Sequence, residues 1–186
     1  MDLLRDVFFW ATIATATIVL EIVIFIARRK HRRAVYLVAG ICALIFFEVP
    51  RILIPLLPQP TIGLSATIAR TIGGVIFVLG TAILAISFTQ LMKAKKEGWR
   101  LRTTGVYAIV RHPMYTGDVL WALGWSVIFN ALWGLILTPL WFFLRYSLAV
   151  LEEEKLVEKY GEDYKAYMKN VPRRMISFLG HRRALL

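Results

Sequence analysis

The sequence predicts an all-α integral membrane protein of about five transmembrane helices, the last two paired as a helical hairpin beneath a cytosolic cap. Three observations carry this expectation. Of the 186 residues, 58% are hydrophobic and only 19% are charged, and the mean hydropathy is +0.62, far more apolar than a soluble domain of this size requires. The apolar residues arrive in runs long enough to cross a hydrocarbon core of roughly 30 Å at about 1.5 Å per helical residue. The basic residues collect in the segments that alternate connections would place on one side of the bilayer.

Taken in order, residues 7–27 form a run of 21 with Glu21 as its one charge, a retained span in which that carboxylate reads as structural. The N-terminus shows neither a positive region nor a small-residue cleavage site, so the segment does not resemble a removable signal. Residues 34–57 make a second span, interrupted by Glu48 and Arg51, which lie three apart on one helical face beside Pro50 and Pro55 and end or break it near the far interface. Residues 71–92 are uncharged throughout and form the third. Residues 118–151 are too long for one crossing and divide at Asn130; they read as the hairpin, with Pro113 near the start of the first arm and Pro139 inside the second. From Glu152 the chain continues as an amphipathic helix with Leu156, Tyr160, Tyr164 and Tyr167 at helical spacing.

Lys and Arg number five in residues 28–33, six in 93–111 and eight in 155–183, against Arg5, Arg51 and Arg70 on the other side. That bias puts the N-terminus outside and the C-terminus with all three basic regions in the cytoplasm. It also accounts for the net charge of +11 through attraction to anionic lipid headgroups, which makes nucleic acid an unneeded partner. Cys42 is the single cysteine and sits mid-span, so no intrachain disulfide, Cys-rich metal site or thiol-disulfide chemistry is expected, and no metal is assigned. Residues 1–186 read as one domain: 1–92 supply three spans, and 93–186 hold the hairpin 113–151 and the C-terminal amphipathic helix. Residues 93–116 and 152–186 would build the cap.

Two polar features stand out against this background. Residues 105–117, GVYAIVRHPMYTG, set an Arg-His-Pro turn between apolar blocks, and Glu152-Glu153-Glu154 wait where the hairpin returns. Pro113 disfavours helical backbone at His112, so Arg111-His112 should form an extended corner leading into a helix. Free N–H groups at a helix start suit an anion, Tyr107 and Tyr115 offer aromatic faces, and Arg111 and His112 add donors. The plain reading of such a corner alone is a membrane-interface anchor. The acidic pair at the same face alters that balance, because an ionised Glu is acceptor-only and suits an ammonium group or ribose hydroxyls; Glu154, Glu158 and Glu162 read as solvated.

GVYAIVRHPMYTG, followed after the hairpin by Glu152, Glu153 and Leu156, then Tyr160-Gly161, Tyr164, Tyr167 and Val171-Pro172, resembles the signature of the isoprenylcysteine carboxyl methyltransferase family, related to the membrane phospholipid methyltransferases. The likeness covers about residues 99–174; two separated motifs agree in spacing and flank a membrane hairpin. It implies an integral membrane methyltransferase using S-adenosyl-L-methionine, with a lipidated or lipid methyl acceptor. Carried over residue by residue, Tyr107, His112, Pro113, Met114 and Tyr115 would line the cofactor pocket with Glu152 and Glu153 at its polar end, and Leu101 and Arg102 are weaker carry-overs. No strand followed by a Gly-rich turn and helix is present, so a soluble-type nucleotide cradle is not expected. Gly73 lies within a span, where it and Ala69 favour close helix contact.

Methyl transfer from a sulfonium is an in-line displacement that needs alignment and exclusion of water, and no catalytic triad. A carboxylate acceptor is already ionised at neutral pH and needs positioning by an arginine; a lipid amine must first lose a proton, with His112 or Glu153 as base. Relatives of the prenylcysteine type tend to carry an arginine one turn before the acidic pair, where this chain has Leu148. Arg145, one turn earlier near the same face, is expected to substitute, with His112 as the second catalytic candidate. Carboxyl methylation of an isoprenylcysteine-like substrate is therefore the first reading, phosphatidylethanolamine-type N-methylation the second, and a non-enzymatic lipid-binding or scaffold protein the third.

Overall fold

The computed structural model describes residues 5–27, 41–42 and 44–175. The basic run 28–33, the first part of the expected second span and the tail from residue 176 lie outside them. Six helices order the described residues: α1 (Val7–Ala27), α2 (Val49–Leu53), α3 (Ala66–Lys96), α4 (Pro113–Ile128), α5 (Leu132–Tyr160) and α6 (Glu162–Asn170). Among the described residues the architecture is all-helical apart from an isolated bridge between Thr61 and Ala131.

Among the described residues, three helices are long and apolar enough to cross a membrane: Val7–Ile26, Ala66–Lys96 and Leu132–Tyr160. α3 turns Val75, Val78 and Leu79 outward, each more than half exposed, as suits a surface solvated by lipid. The other two expected crossings take shorter forms. In place of an unbroken helix, residues 44–56 run as a π turn (Leu44–Glu48), α2 and a 3-10 turn (Ile54–Leu56); Pro50 and Pro55 interrupt the ladder by withholding N–H donors. α4, the first arm of the expected hairpin, has 16 residues.

The hairpin divides where Asn130 predicted. Asn130 adopts φ 56°, a left-handed conformation that asparagine tolerates, and its amide donates to Leu64 O at 2.8 Å. The 57–65 loop is tied to the same turn by Ile62 N donating to Asn130 O (3.0 Å) and Leu132 N to Pro60 O (3.1 Å).

α4 packs most intimately on α3, not on its hairpin partner. A methyl built on Gly73 would stand 2.5 Å from Ile128 N, one on Gly117 would stand 2.8 Å from Leu84 N, and those on Gly80 and Gly124 would strike the backbones of Trp121 and Phe77. Only residues without a side chain let the two backbones approach so closely. α1, the 44–56 segment and α5 instead share an apolar core of Ala14, Ile18, Phe47, Ile54, Trp141 and Leu148.

α5 passes its last apolar residues near Leu151, runs on to Tyr160 and stops at Gly161, whose φ of 58° and ψ of −130° suit glycine best. The expected amphipathic helix is therefore the end of α5 plus α6, with a corner between them. Tyr164, Tyr167 and Val171 fold back against Leu101, Leu156 and Tyr160, and this small core fastens the 99–112 loop over the end of α5.

Candidate functional site

The Arg-His-Pro corner forms as the sequence dictates. His112 has φ −119° and ψ 65°, and Pro113 occupies the first turn of α4, where its missing N–H costs nothing. The corner's backbone donors are satisfied from the C-terminal strap: Arg111 N donates to Arg173 O at 2.9 Å and His112 N to Arg174 O at 2.8 Å. Two tyrosine hydroxyls tie the loop to the returning helices, Tyr167 to Tyr107 O and Tyr160 to Trp99 O, both at 2.6 Å.

These elements enclose a cavity of about 670 Å³. Leu101, Arg102, Tyr107, His112, Pro113, Met114, Tyr115 and Glu152, all singled out from the sequence, lie on its wall. Phe25 of α1, Leu91 and Ala94 of α3, and Trp99 complete the apolar side, and Lys155, Lys159, Tyr160 and Tyr164 close the other. Phe25, inside an apolar span, and Trp99, in the charged segment 93–102, carried no sequence signal of a site. Tyr164 was legible as a packing residue, yet its hydroxyl is buried without a hydrogen-bond partner among the described residues, a position that a ligand atom would satisfy.

Two expected site residues stand elsewhere. Successive helical residues diverge by about 100°, and that separates the acidic pair. Glu152 reaches the cavity, accepting the Tyr115 hydroxyl at 2.8 Å. Glu153 turns into the protein, where Arg111 Nε donates at 2.7 Å, Arg174 Nε at 2.8 Å, and His112 Nε2 stands at 3.3 Å. Burial pushes the Glu153 carboxyl upward, but the bonds from His112, Arg111 and Arg174 outweigh it and hold the group well below the usual carboxylate range. Glu153 thus clamps the corner from behind the wall.

His112 stands between the two carboxylates, with Nδ1 3.5 Å from Glu152, and its ring stacks on Tyr115 with a 5.7 Å centroid separation. Burial alone would lower its pKa; hydrogen bonds to Glu152 and Glu153 reverse that and raise it above the ordinary histidine value. Burial likewise raises Tyr164 and Tyr167, with Glu153 and Tyr164 respectively adding to the effect, so both remain protonated donors.

Arg145 is set behind Tyr115, its guanidinium 5.4 Å from that ring and 4.4 Å from Phe47. Its Nη2 donates to Glu48 at 2.8 Å, Nε lies 3.3 Å from Asp118 and Nη1 3.9 Å from Glu21. Arg51 completes the group, bonded to Glu48 and Asp118 at 2.8 Å each. Sequence reading paired Glu48 with Arg51 but had no means of joining them to Asp118 and Arg145, which are far away in the chain.

The phospholipid methyltransferase family model matches residues 67–163, just over half of the chain. Among curated relatives, protein-S-isoprenylcysteine O-methyltransferase of Schizosaccharomyces pombe is 35% identical over 88 residues, covering 46% of this chain and 37% of that protein. The enzyme of the same name from Mus musculus is 34% identical over 147 residues, 74% of this chain and 50% of its own length. A delta(14)-sterol reductase of Mus musculus is 34% identical over 88 residues, 44% of this chain and 20% of that protein. The chain thus spans half or less of the length of these relatives. No solved structure gives a significant match. The matched region contains α4, α5 and the Arg-His-Pro corner that together build the cavity, and the chain belongs to the phospholipid methyltransferase family.

Proposed function

We propose that this protein is an S-adenosyl-L-methionine-dependent membrane methyltransferase whose acceptor is the carboxylate of an isoprenylcysteine-like lipidated substrate. The observation that carries the reading is the cavity at the Arg-His-Pro corner, where Glu152, Tyr115 and His112 face aromatic and apolar walls. The names of the relatives add weight to the carboxylate as acceptor.

The residues fit the cofactor's parts. Tyr107 and Tyr160 offer aromatic faces to a ring, Leu101 and Met114 an apolar floor, and Glu152 an acceptor for an ammonium group or ribose hydroxyls. The Tyr164 hydroxyl and Arg102 Nε, both buried without hydrogen-bond partners among the described residues, are donors that such a ligand would satisfy. The bound cofactor supplies an electrophilic methyl group. The chain aligns it, through the stacked His112 and Tyr115, and keeps water away with Phe25, Leu91 and Met114. An ionised carboxylate acceptor requires no base.

A lipid amine is the second reading, favoured by the position of His112 at the cavity wall with a carboxylate on either side. In that case His112 takes the proton, since the Glu153 carboxylate is already occupied by three donors. In the proposed arrangement five spans cross the bilayer, the N-terminus lies outside, and the cofactor-binding cap faces the cytoplasm and its anionic headgroups. Labelled methyl transfer to an S-farnesylated cysteine and to phosphatidylethanolamine in parallel tests the proposal. Base-labile ester label is expected; base-stable label confined to the phospholipid headgroup would replace the first reading with the second.

A further inference from the structure

Below the cavity, two guanidiniums face three carboxylates within the membrane-spanning part of the protein. Glu48 and Asp118 are each held at 2.8 Å by Arg51, and Glu48 also receives Arg145 Nη2 at 2.8 Å. Glu21 is bound differently. Its Oε2 stands 3.9 Å from Arg145 Nη1, beyond hydrogen-bond reach, and that oxygen is buried with no hydrogen-bond partner among the described residues. The side chain keeps 27% of its surface exposed, against 11% for Arg145.

This loose contact is at odds with simple charge neutralisation. Among the described residues Arg51 and Arg145 are already matched by Glu48 and Asp118, so Glu21 brings a third carboxylate to two guanidiniums, at a depth where charge is costly. Its place explains what that charge can serve. Glu21 lies one helical turn from Phe25, which lines the cavity, and the two therefore share a face of α1. Arg145 is in turn packed behind Tyr115 of the cavity wall. Glu21 thus joins the cavity-lining face of α1 to Arg145, whose one hydrogen bond among the described residues runs from Nη2 to Glu48, so that Nη1 holds Glu21 only through the 3.9 Å contact.

We propose that Glu21 is a specificity-determining residue: its carboxylate keeps the seat of the acceptor carboxylate on Arg145 Nη1 and yields that seat when the acceptor enters. This inference rests on the carboxylate reading of the proposed function. An entering carboxylate exchanges one anion for another at Arg145, provided that Glu21 withdraws or takes up a proton; no bond is broken and the cluster's charge is conserved. A neutral lipid gains nothing by displacing Glu21. An acceptor bearing the anion and a prenyl chain gains both the ion pair and apolar contact.

The test is steady-state methyl transfer to an S-farnesylated N-acetylcysteine by detergent-purified wild type, Glu21→Gln and Glu21→Asp at one neutral pH, with S-adenosylhomocysteine-induced thermal stabilisation measured alongside. Glu21→Gln removes the competing carboxylate and is expected to lower the acceptor KM about tenfold, the equivalent of about 1.4 kcal/mol, with little change in kcat. Glu21→Asp, one methylene shorter and drawn back from Arg145, should lower KM in the same direction. An unchanged or raised acceptor KM in the folded variants overturns the role of Glu21. If Glu21→Gln loses stabilisation by S-adenosylhomocysteine, Glu21→Asp alone decides on the same readout. Absence of methyl transfer to this acceptor by the wild type overturns the carboxylate reading itself, and the inference with it.

Discussion

Glu152 and Glu153 are neighbours in the chain and face opposite environments: Glu152 accepts the Tyr115 hydroxyl at the cavity wall, whereas Glu153 is enclosed by Arg111, Arg174 and His112. One carboxylate lines the cavity. The other holds its wall from behind.

The pair should therefore separate binding from stability. Glu153→Gln leaves Arg111 buried without its counter-charge and is expected to cost about 3–5 kcal/mol, read as a lowered thermal midpoint in detergent without ligand. Glu152→Gln should leave that midpoint nearly unchanged and abolish the upward shift caused by S-adenosylhomocysteine. Equal midpoints for wild type and Glu153→Gln would refute the clamp.

Two of these groups give the fold a pH dependence of opposite sign. His112 is raised in the folded protein, so its stabilisation is complete below about pH 6.5 and disappears as pH climbs through the higher folded value. Glu153 is depressed, so its contribution is present above about pH 4.3 and declines as pH falls toward the lower folded value. The ligand-free midpoint should fall on both sides of a maximum between these limits, and His112→Gln should flatten the alkaline limb while the acid limb persists through Arg111 and Arg174. An alkaline limb unaltered in that variant would count against the assignment.

The α3–α4 contact should not tolerate a methyl group where the backbones meet. Gly80→Ala and Gly124→Ala place a Cβ against the backbones of Trp121 and Phe77, while Gly74→Ala meets nothing within 4 Å. The first two are expected to destabilise by about 1–3 kcal/mol, and Gly74→Ala to be neutral or slightly stabilising. Thermal midpoints of the three variants provide the comparison; similar losses in all three would mean that helix approach does not limit stability.

The Tyr164 hydroxyl has no hydrogen-bond partner among the described residues, so Tyr164→Phe should retain or slightly increase ligand-free stability. The same change is expected to weaken S-adenosylhomocysteine by about tenfold, the equivalent of one hydrogen bond of about 1.4 kcal/mol. Isothermal titration reads both the affinity and its loss. Unchanged affinity would leave Tyr164 a packing residue.

Much of the site was legible because short-range rules govern it. Pro113 kept His112 out of the helix (φ −119°, ψ 65°, short of fully extended), the tyrosine spacing fixed the face that folds back, and the return of the hairpin put the acidic pair near the corner. Helix phase was the step that spacing by itself left open: residues 152 and 153 share a turn, and which of them faces a ligand depends on what lies behind α5. The answer is Arg111 and Arg174, from two segments that meet only in the folded protein.

The sequence by itself determined the membrane class, the apolar helices α1, α3 and α5, the break at Asn130 and the residues of the corner, because each follows from local composition, backbone preference or periodicity. Tertiary structure alone decided that α4 lies tightly on α3, that Glu153 serves as a clamp, and that Glu21, Glu48, Arg51, Asp118 and Arg145 gather beneath the cavity. Those outcomes depend on charges and backbones far apart in the chain, brought together because the low-dielectric interior strengthens ion pairing and close packing leaves no room for a misplaced methyl group.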